Sequence, residues 1–182
     1  MQRFTLFGFA LVLCLLARPL PVDAALLETG ADFPSWEMQD HTGKRVRAAD
    51  LAGKTYLLWY YPKAQTPGCT IEGRQLRDRY PDFAQRGVEV LGVSFDSPAE
   101  NAAFVEAEGF PYRLLSDDGT LAAVVGAQRS GGLAYPKRIS YLVGPDGRVL
   151  RGYASVDPQT HAAEVLSDLD EKEGDAATSA LR

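Results

Sequence analysis

A cysteine directly follows the tripeptide Thr-Pro-Gly, and this arrangement is typical of the start of a helix. Thr66 suits the position before the first turn, Pro67 suits the first helical position, and Cys69 then falls at the third. Unpaired amides and the positive end of the helix dipole lie near that position, and both favour a thiolate. Because the thiolate is the nucleophilic form, the sequence predicts a reactive cysteine. The alternative is a small buried apolar side chain, which is common for single cysteines.

Few other residues have types and spacing that point to chemistry. The histidines, His41 and His161, and the cysteines, Cys14 and Cys69, are too few for a metal cluster. We therefore expect neither a metal nor a cofactor. The aromatic run Trp59–Tyr61 is interpreted as core and pocket wall rather than as a cofactor platform.

The elements that must position the thiol are strands that alternate with helices. Thr55–Tyr61 is apolar on both faces, as expected of a central strand covered on both sides. A helical pattern of apolar residues follows over about Pro67–Gln85. Val88–Phe95 is predicted to be a second buried strand. Ser97 then suits the cap of a further helix, which Gly109 ends.

Both ends of the chain add to this core. Trp36 and Met38 alternate with polar residues before the turn sequence DHTGK, and Val46 opens a return strand, which predicts an N-terminal β-hairpin. The segment RISYLVGPDGRVLRGYA predicts a second hairpin, and DPQTHAAEVLSDLDEK predicts a closing amphipathic helix. This order of elements indicates an α/β fold with a mixed sheet.

The first 24 residues have the pattern of a cleavable secretory signal. Arg3 precedes an uncharged run over Phe4–Ala17, and Val22 and Ala24 suit cleavage after Ala24. The alternative is an uncleaved membrane anchor, although the run is shorter than the roughly 20 apolar residues of a spanning helix. We therefore expect a signal peptide at 1–24.

The rest of the chain has the size of one domain. We expect this domain at 25–172 and a flexible tail at 173–182, in a protein exported to the periplasm, although the sequence leaves another exported space open. The full chain carries a net charge of −5 without clusters of Lys or Arg, which argues against nucleic-acid or stable membrane association. The expected partners are small molecules or proteins, and the expected state is a monomer or a homodimer.

Export makes the cysteine count informative. Exported proteins usually place their cysteines in disulfides, whereas removal of the signal with Cys14 leaves Cys69 alone. An odd cysteine indicates a free reactive thiol or a disulfide to another molecule.

The segment YPKAQTPGCT resembles the peroxiredoxin motif Pro-x-x-x-Thr-x-x-Cys, with Pro62, Thr66 and Cys69 at its three defined positions. The resemblance covers nearly all of the chain after the predicted signal. The segments DRYPDFAQRGVEVLGVSFDSPAENAAFV, PYRLLSDDG, YPKRISYLVGPDGRV and HAAEVL are similar to the bacterioferritin-comigratory, or Q-type, subfamily. This resemblance implies a three-layer thioredoxin-like fold and thiol-dependent reduction of hydrogen peroxide and organic hydroperoxides.

The resemblance also assigns roles to four residues. Cys69 is implied to attack the peroxide and become a sulfenic acid, with release of water or an alcohol. Thr66 would donate to the peroxide or orient it, Pro62 would shield the sulfur from water, and Arg138 would hold the thiolate. Negative charge that spreads over both peroxide oxygens makes such donors effective. The alternative for Arg138 is a solvated arginine at the end of a strand.

Glu72 and His161 also match positions of the family. Glu72 corresponds to an acid often found three residues after the cysteine, and it is left open between orienting hydrogen bonds and lying in solvent. His161 is expected on a surface helix. A catalytic role is not expected for it, because a base is not needed when the cysteine is already ionised.

Arg74 marks a departure from the subfamily, many of whose members carry a second, resolving cysteine at this position. Positions 69 and 74 lie about 140° apart around an ideal helix, so a disulfide between them requires local unwinding. We expect a one-cysteine variant whose sulfenic acid is reduced by an external thiol: a small thiol, a thioredoxin-like protein or a second copy. A sulfenic acid that waits for its partner is open to oxidation to sulfinic acid.

Two other functions fit the same fold. A thiol–disulfide oxidoreductase would need a Cys-x-x-Cys motif, and Glu72 occupies the place of its second cysteine. A non-enzymatic binding or holdase protein would need no turnover, since a fold alone does not establish activity. Consumption of peroxide distinguishes the peroxidase from the binding protein.

Overall fold

The computed structural model describes residues 25–131 and 133–180, and the predicted signal peptide lies outside these ranges. After an initial pair of strands, helices and strands alternate along the described chain. The elements are β1 (Glu37–Asp40), β2 (Arg45–Arg47), a 3₁₀ turn (Ala48–Leu51), β3 (Thr55–Tyr60), α1 (Pro67–Asp78), α2 (Tyr80–Gln85), β4 (Val88–Ser94), α3 (Pro98–Glu108), β5 (Arg113–Ser116), α4 (Thr120–Val124), β6 (Ile139–Val143), β7 (Val149–Tyr153) and α5 (His161–Ala180).

The strands form one mixed sheet in the order β2-β1-β5-β4-β3-β6-β7. Strands β3, β4 and β5 run parallel to one another, while β6 pairs antiparallel with β3 and β7 pairs antiparallel with β6. The predicted N-terminal hairpin is confirmed, since β1 and β2 pair antiparallel. The hairpin is part of the same sheet, because β1 also pairs antiparallel with β5. The α/β thioredoxin-like prediction is therefore confirmed.

Strand β3 lies inside the sheet, between β4 and β6, and contributes to a core on each face. Leu57 and Trp59 pack with residues of α1, α2, α3 and α5 on one face. Leu58 and Tyr60 pack on the other face with residues of α4 and the 3₁₀ turn. All four side chains are fully buried, because alternate residues of a strand point to opposite faces and both faces are covered.

The helical pattern predicted over about Pro67–Gln85 is confirmed, but the chain divides it into two helices. Helix α1 ends at Asp78, and α2 begins at Tyr80 with Pro81 in its first turn. A proline has no N–H to donate to the preceding turn, and its ring crowds that turn. The apolar periodicity continues across the break, which explains why the pattern alone did not reveal it.

Helix α5 closes the domain and packs against α1. Ala162, Val165 and Leu169 face the core, as their spacing predicts. The helix continues to Ala180, beyond the predicted domain end at 172, and the flexible tail stays a prediction. Within the described ranges, no helix combines the length and the apolar character that a membrane span requires.

Candidate active site

Cys69 lies in the first turn of α1, just after the carboxyl end of the central strand. Thr66 has extended backbone angles, with φ −85° and ψ 152°, and Pro67 begins the helix. Thr70 N–H donates to Thr66 O at 2.9 Å, so the amide of Cys69 precedes the first helical hydrogen bond. The local position of the cysteine is therefore the one that the sequence predicts.

Arg138 connects the sulfur with a buried carboxyl group. Its Nη2 lies 3.2 Å from Cys69 Sγ, and its Nη1 forms an ion pair with Glu72 Oε2. Cys69 and Glu72 are fully buried, and the Arg138 side chain is 18% exposed. Arg138 directly precedes β6, which begins at Ile139, but it is not the solvated strand-end arginine of the alternative interpretation.

Burial and charge oppose each other at this pair. Burial raises the pKa of Glu72 to about 7, although the charge and hydrogen bond of Arg138 act to lower it. For Arg138, burial disfavours the charged form, but the neighbouring Glu72 and Cys69 hold its pKa above the ordinary value. The guanidinium is therefore permanently charged, whereas the Glu72 carboxyl group can gain or lose a proton near neutral pH.

His161 is completely buried, so its expected surface position is wrong. Its Nε2 lies 2.9 Å from Ser140 Oγ and 4.0 Å from Glu72 Oε1, and its ring meets Tyr153 edge-on with centroids 5.2 Å apart. The reason is that α5 begins against β6 and β7, whose side chains cover its first residue. Burial, together with the charge of Arg138, lowers the pKa of His161 to about 4, so the ring is neutral at physiological pH.

Thr66 and Pro62 lie in the loop between β3 and α1. The Thr66 hydroxyl donates to Lys63 O at 2.9 Å and does not cap the helix with its side chain. Its single proton is therefore engaged, while its oxygen can still accept a hydrogen bond. Pro62 lies two residues after the end of β3 and is half-buried.

Asp96 fixes this loop and was not among the predicted site residues. Its carboxylate accepts a hydrogen bond from Ala64 N–H at 2.8 Å and forms an ion pair with Lys63, which also reaches Glu100 at 2.8 Å. A signal was present in the sequence, because Asp96 follows β4, the parallel neighbour of β3. The carboxyl ends of such strands meet at one edge of the sheet, where α/β proteins place their sites.

The remaining candidates from the sequence are one histidine and the aromatic run at the end of β3. His41 Nδ1 accepts a hydrogen bond from Leu114 N–H at 3.3 Å. Trp59 and Tyr61 are fully buried in the core, as predicted. Across residues 25–131 and 133–180, no three His, Cys, Asp or Glu side chains gather into a group that could hold a metal ion.

The chain matches a family of known proteins over most of its length. Residues 29–151 match the AhpC/TSA family. Peroxiredoxin Bcp of Escherichia coli is 34% identical over 151 residues, which cover 80% of this chain and 97% of that protein. The chain therefore belongs to the AhpC/TSA family. Within it, the protein is a peroxiredoxin of the Bcp/PrxQ subfamily, a thiol-dependent peroxidase that reduces peroxides.

Solved structures of the same subfamily share the fold. Peroxidoxin BcpB from Mycobacterium tuberculosis is 34% identical with a TM-score of 0.75, and the match covers 80% of this chain and 97% of that one. The bacterioferritin comigratory protein of Xanthomonas campestris is 30% identical with a TM-score of 0.72, covering 82% of this chain and 99% of that one. Because the chain belongs to a family of thiol-dependent peroxidases, the thiol–disulfide oxidoreductase and binding-protein alternatives are set aside.

Gly68 leaves room for the Arg138 guanidinium. A Cβ atom at this position would lie 3.2 Å from Arg138 Nη2, and the guanidinium would have to move. We expect Gly68→Ala to slow the reaction with peroxide about 10-fold, because small misplacements of reacting groups are costly. Stability should not fall, since alanine is the better helix former. Rapid-mixing kinetics and thermal unfolding measure the two effects.

The matched control for this substitution is Gly174→Ala in α5. A Cβ atom at Gly174 meets nothing within 4 Å, so this variant should react at the wild-type rate. Equal rates for the two alanine variants would show that the guanidinium position does not govern the reaction.

Proposed function

We propose that Cys69 is the peroxide-reducing residue of a one-cysteine peroxiredoxin and that an external thiol recycles it. The observation that carries this proposal is the 3.2 Å contact of Arg138 Nη2 with Cys69 Sγ in a site shielded from solvent. A fixed guanidinium favours the thiolate, and the start of α1 adds a field of the same sign. Peroxide would reach the sulfur past the half-buried loop residues Pro62 and Thr66.

The proposed reaction is a displacement at one peroxide oxygen. The Cys69 thiolate attacks that oxygen, the S–O bond forms, the O–O bond breaks, and the departing oxygen takes up a proton to leave as water or an alcohol. Arg138 and the Cys69 amide stabilise the negative charge that develops on the two oxygens. Because the Thr66 hydroxyl donates to Lys63 O, its oxygen accepts the peroxide O–H and so orients the substrate. Pro62 limits the access of water.

Arg74 supports the one-cysteine part of the proposal. It occupies the position of the resolving cysteine, and its Nε and Nη2 donate to the Glu108 carboxylate at 2.6 and 3.1 Å. Arg77 adds a hydrogen bond to Glu108 O at 2.7 Å. These contacts tie α1 to the end of α3 and oppose the unwinding that a disulfide within α1 would need. Cys69 is the free cysteine of the described residues, and removal of Cys14 with the predicted signal would leave its sulfenic acid to a thiol from outside.

Hydrogen peroxide and organic hydroperoxides are the proposed substrates. The related Xanthomonas campestris protein is described by its alkyl peroxide reduction activity, which supports the second class. A small thiol or a thioredoxin-like protein is the proposed reductant. We also propose that the protein acts as a monomer or homodimer after export to the periplasm, and the support for export is the pattern of residues 1–24.

Peroxide consumption with and without an added thiol tests this proposal. Without a thiol, the reduced protein should consume one hydrogen peroxide per chain and then stop, because nothing regenerates the cysteine. With dithiothreitol, consumption should continue. Cys69→Ser should be inactive, and Cys14→Ala should behave as the wild type.

The possible failures of this experiment are distinct. A disulfide between Cys69 and Cys14 of the same chain, in place of a sulfenic acid, would contradict the one-cysteine assignment. A wild type that consumes no peroxide would contradict the role of Cys69 altogether.

A further inference from the structure

Two buried acids share a single cation in this site. Arg138 Nη2 contacts Cys69 Sγ at 3.2 Å, and its Nη1 pairs with Glu72 Oε2. The second carboxyl oxygen, Glu72 Oε1, is buried and has no hydrogen-bond partner. A buried oxygen without a partner costs less free energy on a neutral carboxylic acid than on a carboxylate, because burying an unpaired charge costs more than burying an unpaired neutral polar group.

The groups around Glu72 bring no second positive charge within the described part of the chain. From α5, His161 Nε2 lies 4.0 Å from Glu72 Oε1, and this ring is neutral because burial and the nearby guanidinium lower its pKa to about 4. From β6, Ser140 Oγ lies 2.9 Å from the same ring nitrogen. From the segment before β5, the Tyr112 hydroxyl donates to Gly73 O at 2.7 Å. The carboxyl group therefore pairs with one cation, Arg138, and lies near neutral groups.

One buried guanidinium balances one anion well and two anions poorly. Two acids that share one buried cation compete for it, so the site is more stable when one of the two is neutral. When the thiol ionises, a proton on the Glu72 carboxyl group leaves the site with one anion. This state is more stable than one in which the same cation has to balance two anions.

We propose that Glu72 stores the thiol proton of Cys69. The reduced site then contains a thiolate, the Arg138 cation and a neutral carboxylic acid. This inference rests on the proposed function, in which Cys69 is the nucleophile, and it adds the place where the proton is kept. Burial raises the pKa of Glu72 to about 7, which agrees with a stored proton at neutral pH.

The stored proton also balances the reaction. The thiolate attacks one peroxide oxygen, the S–O bond forms and the O–O bond breaks, and the departing oxygen takes the proton that the Glu72 carboxyl group gives up. Before the attack, the Arg138 cation is balanced by the Cys69 thiolate. Afterwards the sulfenic acid is neutral, and the Glu72 carboxylate balances the same cation. When the external thiol regenerates Cys69, the thiol proton returns to the carboxylate.

Infrared difference spectroscopy of the full-length protein tests the inference at neutral pH. The reduced wild type should show the carbonyl band of one protonated carboxylic acid, and one equivalent of hydrogen peroxide should remove it. Other buried carboxyl groups cancel in this difference. Glu72→Gln should lack the band, which assigns it. Cys69→Ser should not react with peroxide, so its difference spectrum is the control for effects of peroxide on the rest of the protein.

Mass spectrometry of the same samples separates two failures. A gain of one oxygen at Cys69 without loss of the band would overturn the proton store and leave the proposed function standing. No gain of oxygen in the wild type would overturn both.

Proton uptake during oxidation is a second measurement. In weakly buffered solution with a pH indicator, the wild type should take up no proton per oxidised cysteine, whereas Glu72→Gln should take up about one. Uptake of about one proton by the wild type would mean that both acids were ionised beforehand, and this would overturn the inference. If Glu72 only held Arg138 in place, the wild type and Glu72→Gln would take up the same number of protons.

Discussion

Arg138→Met should lower the second-order rate constant for hydrogen peroxide by about 100- to 1000-fold at neutral pH, which is the usual loss when one preorganised donor is removed from a developing negative charge. The guanidinium contacts Cys69 Sγ at 3.2 Å and is largely withdrawn from solvent, so water does not replace it efficiently. The substitution also removes the partner of the buried Glu72 carboxyl group. Rapid mixing with peroxide under single-turnover conditions measures the rate constant.

Arg148→Met is the matched control for this variant. The Arg148 side chain is 52% exposed, and it pairs with Asp32, which is 81% exposed. Such surface pairs contribute little to stability, and this one lies on the loop between β6 and β7. The control should react as fast as the wild type. An Arg138→Met protein that is folded and loses less than about 10-fold would contradict the role assigned to the guanidinium.

Glu72→Gln and His161→Asn should change the pH dependence of stability in opposite directions. The raised pKa of Glu72, about 7, contributes stability that is complete below its ordinary value of 4.5 and is lost as the pH rises through 7. The lowered pKa of His161, about 4, contributes stability that is complete above its ordinary value of 6.5 and is lost as the pH falls through 4. Each contribution amounts to about 3 kcal/mol, and the two oppose each other between pH 4.5 and 6.5.

Removal of either group should therefore leave the contribution of the other group to the pH dependence of stability unopposed. Between pH 7 and 4, the free energy of unfolding of Glu72→Gln should fall relative to the wild type as the pH is lowered, and that of His161→Asn should rise. Urea unfolding of the reduced proteins at several pH values measures both, and titration of all other groups is common to the series. Parallel pH profiles for the two variants would contradict the burial of these side chains.

The fold could be predicted where local patterns and tertiary packing agree. The runs that became β3 and β4 are apolar on both faces, and a strand with this pattern belongs in the middle of a covered sheet. Helix α3 has its capping box at Ser97 and its left-handed glycine at Gly109, so both of its ends were visible in the sequence. The break between α1 and α2 was missed, because Pro81 interrupts the hydrogen bonds but not the apolar pattern.

From the residues alone, the site could be predicted where it depends on neighbours along the chain, whereas the position of Arg138 near Cys69 was implied by the family resemblance. The position of Cys69 follows from the residues immediately before it, and these are local. The burial of Glu72 and His161 depends on the packing of α5 over α1 and β6, and a hydrophilic residue type gives no sign of it. The same reason applies to Asp96, whose partners Lys63 and Ala64 belong to another loop.

The most direct test of the central claim is the identity of the atom that peroxide oxidises. The reduced protein is treated with one equivalent of hydrogen peroxide in the presence of a sulfenic-acid trap, and intact mass and peptide mapping locate the adduct. We expect one adduct per chain, on Cys69, absent in Cys69→Ser and slower to form in Arg138→Met. A wild type without an adduct, or with the adduct on another residue, would contradict a mechanism in which the thiolate held by Arg138 attacks the peroxide.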